Sequence, residues 1–323
     1  MDSVDSSSFR LPLIDLSLAA SSCPGSAPWD TVQDDVRRAL EDHGCFRARY
    51  DPLTEQLHDV VFGHVHELFS LPKVTKQRFV GSDPGNPYNG YLTDLPSFPL
   101  HEAMSMAVGS AGCFDSSVIR KLTDLMFPGE SSAGFGDDLS TYVSKLVEVD
   151  KMVKKMVFQS FGLEAKYLDR HNESTNYTVR LLRYDAPGRE EPIPAGITHY
   201  DVNFLTILQQ NGVSGLEIET KDGNWIRVPQ SSSTFVVMTG ESFHGWSNGR
   251  LRCPRHRVMM AGDETRYSTG FFSSVKGTVE SPDELVDDQH PALYKPFDQD
   301  GLVRIFQHDQ LFGASALTTF FSA

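Results

Sequence analysis

The sequence predicts a mainly β fold with helices: a barrel or jelly roll of short strands in its second half, with a helical region in front. Three observations carry this. From Tyr177 onward short runs are broken by turns, and Val179, Leu181 and Arg183 alternate with Arg180, Leu182 and Tyr184, the period-two pattern of a half-buried strand. Asp222-Gly223 and Asn248-Gly249 read as two-residue hairpin turns, and many short strands joined by hairpins close into a barrel or a jelly roll. Before residue 176 the apolar residues recur instead at i+3 and i+4, as on one face of a helix.

At 323 residues the chain is long enough for one large β domain with helical decoration, or for two small domains. No internal repeat and no linker forces the second choice. The expected organisation is a helical or mixed region over 1–175 packing on the barrel, a β core over 176–280 and a helical tail over 281–323. A net charge of −14 argues against nucleic acid or an anionic membrane as partner. No apolar run reaches the ~18 residues needed to span a bilayer. The opening Met1-Asp2-Ser3-Val4-Asp5 is acidic and lacks the basic and apolar segments of a signal peptide, so a cytoplasmic location is expected. The four cysteines, at 23, 45, 113 and 253, form no CxxC pair and read as reduced thiols.

In chain order, Leu13-Ile14-Asp15-Leu16 reads as a first strand and the Ser-, Gly- and Pro-bearing stretch from Ala19 to Pro28 as a loop. A helix is expected from a cap at Asp30, with Val32, Val36 and Leu40 as its stripe and Gly44 as its end. Cys45 to Tyr50 reads as a strand. Residues 54–69 carry Leu57, Val60, Val61, Val65 and Leu68 at helical spacing, and Pro72 stops that helix. His58, His64 and His66 on it are expected on a solvated face. Residues 81–100 form a loop whose Tyr91 and Phe98 either anchor it or wall a ligand pocket. The clearest helix spans 137–162. Strands follow near 216–219, 225–228, 234–238, 256–260 and 267–273, and residues 301–306 are compatible with a helix packing back on the barrel.

The chemistry concentrates between Ile197 and Ser273. His199 and Asp201 stand two apart, so an extended backbone turns both to one face. A third ligand must come from a distant segment, and His244 and His256 both follow within reach. Two imidazoles and one carboxylate leave open positions on a metal and suit Fe(II), whereas structural zinc favours four closed ligands, often thiolates. Cys253, three before His256, points to the other face if that segment is a strand. Arg266 and Ser268 are again two apart: a planar fork beside a hydroxyl, matched to a carboxylate.

His199-x-Asp201, His256 before Arg257-Val258, and Arg266-x-Ser268, in that order, resemble the plant soluble 2-oxoglutarate- and Fe(II)-dependent dioxygenases. The similarity extends over nearly the whole chain, through Leu11-Pro12-Leu13-Ile14-Asp15, His43-Gly44-Cys45-Phe46, Leu68-Phe69-Ser70-Leu71-Pro72 and Trp246-Ser247-Asn248-Gly249-Arg250. Ser214-Gly215-Leu216-Glu217 and Arg266-Tyr267-Ser268-Thr269-Gly270 are most similar to the subgroup that includes the glucosinolate side-chain dioxygenases.

The resemblance implies a double-stranded β-helix, a jelly-roll core with an N-terminal helical region. It implies Fe(II) held by His199, Asp201 and His256, since only His256 keeps the family's short spacing to Arg266. It implies 2-oxoglutarate held at its far carboxylate by Arg266 and Ser268, O2 as oxidant and ascorbate as a support of activity. Tyr184 matches a family tyrosine that reaches the cosubstrate, although Asp185 and Ala186 depart from the usual Tyr-Pro-Pro continuation. Phe272, six after Arg266, lines the substrate pocket by resemblance and shares the Arg266 face in a regular strand; as a bare residue it fits the barrel core as well. The implied reaction couples decarboxylation of 2-oxoglutarate to succinate with hydroxylation of a small, mainly apolar or aromatic specialised metabolite or hormone. Desaturation, ring closure and dealkylation use the same chemistry. Two alternatives are an oxidase of the same fold that does not use 2-oxoglutarate and a non-catalytic jelly-roll binding protein.

Overall fold

The computed structural model describes residues 10–81, 89–94, 100–129, 131–163, 165–308 and 313–323. The N-terminal half runs β1 (Leu13–Asp15), α1 (Ser17–Ala20), α2 (Ala27–Asp42), β2 (Cys45–Arg49), α3 (Glu55–Ser70) and α4 (Lys73–Lys76). It continues through β3 (Gly90–Leu92), β4 (His101–Ser110), β5 (Cys113–Phe114), α5 (Ser117–Met126), α6 (Ser131–Ser160) and α7 (Ala165–Glu173). The β-rich part is β6 (Thr175–Tyr184), β7 (Arg189–Pro194), β8 (Leu205–Gln210), β9 (Leu216–Glu219), β10 (Trp225–Arg227), β11 (Phe235–Thr239), α8 (Glu241–Trp246), β12 (His256–Gly262) and β13 (Arg266–Val275). The end adds β14 (Thr278–Val279), β15 (Phe297–Asp298), α9 (Gln299–His308) and α10 (Ala316–Phe321).

Nine strands form one sheet in the order β1-β2-β11-β8-β13-β6-β4-β3, with β5 on β4; four more form a sheet β10-β9-β12-β7. The sheets face each other as a jelly roll. Leu208, Val236 and Met238 of the large sheet meet Leu216, Ile218 and Val228 on one side, and Leu182 and Tyr184 meet Val258 and Met260 on the other. The outer face of the large sheet is covered by helices: Phe46, Ile207, Val237, Val179, Leu181 and Phe271 share a core with Leu40, Val65, Leu146 and Val153. The N-terminal stretch therefore lends strands to the same sheet as the 176–280 core.

Each strand of the large sheet thus has one face toward helices and one toward the barrel interior. On β13 the helix-facing residues are Thr269, Phe271 and Ser273: Thr269 is bonded to Tyr142 of α6, Phe271 stacks on Tyr177, and Ser273 donates to Asp150 of α6. Arg266, Ser268, Gly270 and Phe272 alternate with them and face the interior. Helix α6 is held to the sheet by Leu139, Tyr142, Val143, Leu146, Val149, Val153 and Met156, all buried and spaced at three or four residues. Each such side chain contributes about 1.5–3 kcal/mol by leaving water.

Several expectations are corrected. Helix α2 starts at Ala27 behind Ser26, with Pro28 in its first turn, rather than at Asp30. His58 is buried, with Nε2 3.2 Å from the Gln210 carbonyl, His64 is half-buried and stacks on Phe135, and His66 is exposed. Asp222-Gly223 does join two antiparallel strands, but through a longer loop closed by Thr220 N–H donating to the Asn224 carbonyl. Asn248-Gly249 makes no hairpin. It ends α8, with φ of 51° and 76°, the left-handed backbone that terminates helices as readily as it turns strands.

Candidate active site

His199 lies in the irregular stretch between β7 and β8, not in a strand. One antiparallel bridge ties it to the first residue of β12: His199 N–H donates to the His256 carbonyl at 3.1 Å, and His256 N–H to the His199 carbonyl at 3.0 Å. That pairing sets the imidazoles side by side, ring centroids 4.3 Å apart. Asp201 follows, its backbone carbonyl accepting the Glu241 N–H of α8 at 2.7 Å. Asp201 Oδ1 stands 3.6 Å from His199 Nε2 and 3.8 Å from His256 Nε2, and ligand atoms of all three lie within 4.8 Å of one another. These spacings are too long for good hydrogen bonds and suit donors about 2.0–2.2 Å from a shared ion.

The electrostatics fit a divalent cation. Burial alone would raise the Asp201 carboxyl, but His256, His199 and the Thr206 hydroxyl outweigh it and hold the group well below the usual carboxylate range. Burial, with His199 beside it, pushes the His256 imidazole down to about 4, against the pull of Asp201 and the Pro254 carbonyl. His199 Nδ1 donates to the Ile197 carbonyl at 3.1 Å, which leaves the Nε2 lone pair for a metal. A carboxylate and two imidazoles with open positions is the donor set that suits Fe(II). Cys253 is no thiolate ligand: burial pushes its thiol well up.

His244, the rival third ligand, is elsewhere. It sits on α8, its Nε2 2.8 Å from the Tyr294 hydroxyl, and does not join the cluster.

Arg266 is buried. Its Nε and Nη2 donate to Gln210 Oε1 at 3.2 and 3.0 Å, and its Nη1 to Ser268 Oγ at 3.3 Å. The Tyr184 ring centroid lies 4.9 Å from its Cζ, because β6 and β13 pair Tyr184 directly with Arg266. Among the described residues no carboxylate pairs with this guanidinium. A buried cation answered only by neutral groups is a site for an anion, and the fork geometry fits a carboxylate. Gln210 was missed in the sequence. Its signal was there: Thr206, Leu208 and Gln210 share one face of β8, and an amide at a strand position turned inward needs a partner.

Phe272 faces the interior on the Arg266 side of β13, with Arg180 Cζ 5.3 Å from its ring. Its ring covers Gly270, where a Cβ would lie 2.8 Å from Phe272 carbons, so any larger residue there must displace the ring. Tyr91 departs from the expectation. It pairs with Met104 of the helix-facing core, and its hydroxyl donates to Glu102 Oε2 at 2.9 Å while Lys76 Nζ lies 5.4 Å from its ring. The ring therefore points away from the interior. Phe98 lies outside the described residues. Phe306 of α9, which the sequence did not suggest, places its ring 6.5 Å from His199.

A jelly roll with two histidines and an aspartate between its sheets and a buried guanidinium on a neighbouring strand defines a non-haem iron oxygenase. The chain belongs to the 2OG-Fe(II) oxygenase superfamily: residues 175–275 match the family model of that description, and residues 11–97 match the non-haem dioxygenase in morphine synthesis N-terminal model. Over 311 residues it is 41% identical to the probable 2-oxoglutarate-dependent dioxygenase AOP1 of Arabidopsis thaliana, covering 93% of this chain and 92% of that protein. The structure of a rice dioxygenase for auxin oxidation matches with a TM-score of 0.81 at 27% identity, over 97% of this chain and 100% of that one. JOX2, solved in complex with 2OG, Fe and JA, shares the fold with a TM-score of 0.76 at 21% identity, over 97% of this chain and 89% of that one. The chain is a 2-oxoglutarate-dependent dioxygenase using Fe(II) and O2. Among the described residues no helix is long and apolar enough to cross a membrane.

Proposed function

We propose that the enzyme hydroxylates a small, mainly apolar or aromatic metabolite or hormone, with release of succinate and CO2. His199, Asp201 and His256 hold Fe(II), and Arg266, Ser268 and Tyr184 hold the far carboxylate of 2-oxoglutarate. The observation that carries the second assignment is the buried Arg266 guanidinium, met among the described residues by the neutral groups of Gln210, Ser268 and Tyr184 and by no carboxylate. Bound Fe(II), with 2-oxoglutarate and O2, supplies the oxidising power that breaks a C–H bond.

The chain's own groups do the positioning. The His256 imidazole, held neutral by burial, and the ionised Asp201 bind without first losing a proton at neutral pH, and the His199 Nε2 lone pair is left free by the bond from Nδ1 to the Ile197 carbonyl. Arg266 gives the cosubstrate a two-pronged anchor. Phe272 of β13 and Phe306 of α9 offer apolar rings to the substrate, the first on the Arg266 side of its strand and the second 6.5 Å from the His199 ring. A rice relative named for auxin oxidation and a neighbour solved with JA support a plant metabolite or hormone of this size.

The test is product analysis with candidate metabolites, Fe(II) and 2-oxoglutarate, seeking a mass gain of one oxygen matched by succinate. Burying apolar area contributes about 25 cal/mol per Å², so Phe272→Ala is expected to weaken substrate far more than 2-oxoglutarate. It also raises succinate made without product, because the C–H bond is no longer held in place. Full coupling and affinity in Phe272→Ala remove Phe272 from the pocket. Oxygen consumption without succinate supports the oxidase alternative instead.

A further inference from the structure

We propose that Thr206, oriented by Asn203, is a positioning residue that restricts Asp201 to one metal-facing oxygen, and so keeps a coordination position open for 2-oxoglutarate or O2. The inference rests on the iron-site reading above and adds to it a cause for the site's openness.

The two carboxylate oxygens of Asp201 have different surroundings. Oδ1 faces both Nε2 atoms, at 3.6 and 3.8 Å. Oδ2 accepts the Thr206 hydroxyl at 2.6 Å, the short distance of a bond from a hydroxyl to an ionised carboxylate. A free carboxylate switches easily between one-oxygen and two-oxygen binding. One whose second oxygen is held by a donor from fixed backbone does not. Thr206 is such a donor: it is fully buried and sits within β8, paired with Met238 on one side and Phe272 on the other.

The direction of the hydroxyl proton is also set. Asn203, buried, donates from Nδ2 to the Leu205 carbonyl at 2.7 Å and to Thr206 Oγ1 at 3.0 Å. The bond to Leu205 fixes which end of the amide is the donor. Thr206 Oγ1 therefore accepts from Asn203 and has one proton to give. Asp201 Oδ2 at 2.6 Å is closer than Asn203 Oδ1 at 3.2 Å and carries charge. Gly240 completes the frame, since a Cβ there would lie 2.0 Å from the Asn203 carbonyl oxygen. The run from Asp201 to Thr206 is thus a closed loop of bonds behind Oδ2, the oxygen turned from the imidazoles, while among the described residues no hydroxyl or amide holds Oδ1.

The experiment uses the full chain loaded with Co(II), an oxygen-stable probe whose visible absorption reports coordination number, titrated with 2-oxoglutarate. In wild type, Co(II) binds and 2-oxoglutarate changes the spectrum. In Thr206→Val, of equal shape without the hydroxyl, the 2-oxoglutarate-free spectrum shifts toward higher coordination. Its Kd for 2-oxoglutarate rises about tenfold or more, within the 10–100-fold typical of lost outer partners, although Arg266 is intact. Thr206→Ser restores the wild-type spectrum and Kd, and Asn203→Leu gives an intermediate loss. A wild-type spectrum and Kd in Thr206→Val overturn the proposal, as does a loss in Thr206→Ser as large as in Thr206→Val, which would assign the effect to packing. Should Thr206→Val not fold, the Asn203→Leu and Thr206→Ser spectra decide by the same criteria. A wild type that binds no Co(II) contradicts the iron-site reading itself, a result distinguishable from all of these.

Discussion

Asp150 and Asp201 are two shielded carboxylates in very different company. Each accepts a hydroxyl at 2.6 Å, Asp150 from Ser273 and Asp201 from Thr206. Asp150, fully buried on α6, is answered by Lys154 Nζ at 2.9 Å, also fully buried. Asp201, its side chain 11% exposed, faces two imidazoles beyond hydrogen-bond range. A buried charge must be compensated. Asp150 carries its counter-ion within the chain, so its cluster is structural and closed. Asp201 has nitrogen lone pairs where Asp150 has an ammonium, and only a cation placed between them completes the set. Shielded acids are thus not interchangeable as signs of function: what distinguishes them is whether the compensating charge is resident.

The contrast is broken most severely by removing each partner. Lys154→Met strands the Asp150 charge and is expected to cost about 3–5 kcal/mol of stability, read as a large fall in melting temperature. The protein that remains folded keeps its 2-oxoglutarate turnover. Asp201→Asn is expected to do the reverse, with little change in the metal-free melting temperature and no detectable turnover. Similar melting losses in the two variants would erase the distinction.

A smaller effect sharpens the view of Arg266. Arg266→Lys keeps the charge and loses the fork. A charged hydrogen bond contributes about 1.5–3 kcal/mol, so the KM for 2-oxoglutarate should rise roughly ten- to a hundredfold. An unchanged KM takes Arg266 out of the cosubstrate site.

The smallest effect concerns His171, beside the closed cluster. Burial, and then Lys154, hold its imidazole well below 6.5, and Phe204 and Phe158 pack on it with centroids at 4.2 and 5.4 Å. The unfolded chain takes up a proton near 6.5 that the folded chain refuses, so this contribution to stability is present above that pH and is lost as pH falls below it. Melting curves from pH 7 to pH 5 should fall less steeply for His171→Gln than for wild type. Equal slopes would mean that the imidazole is not held neutral.

Much of the site was legible because its spacing is local. His199-x-Asp201 and Arg266-x-Ser268 need only two-residue separation, and helix α6 announces itself by its stripe. What escaped depends on pairing across the chain. Strand β4, His-Glu-Ala-Met-Ser-Met-Ala-Val-Gly-Ser, holds few strand formers and is a strand because β6 pairs with most of its length. Tyr91 reads from the sequence as either an anchor or a pocket wall, because no sequence pattern reveals the register that turns it toward Met104. Phe306 acquires meaning only once α9 approaches His199, and the amide of Gln210, legible as an inward polar group, finds its partner only once β8 lies beside β13. Asn248-Gly249 misled for a local reason: the same backbone pair closes a helix or a hairpin.

The central claim is that Asp201 is completed by iron bound jointly with His199 and His256. Its most direct test is Fe(II) content after anaerobic equilibrium dialysis, measured with Fe(II)-dependent succinate formation, in His256→Ala and His244→Ala. His256→Ala is expected to retain neither iron nor turnover, while His244→Ala, which loses hydrogen bonds to the Leu251 carbonyl and the Tyr294 hydroxyl, is expected to keep iron and much of its activity. Iron bound normally by His256→Ala, with a dead and iron-free His244→Ala, would contradict it.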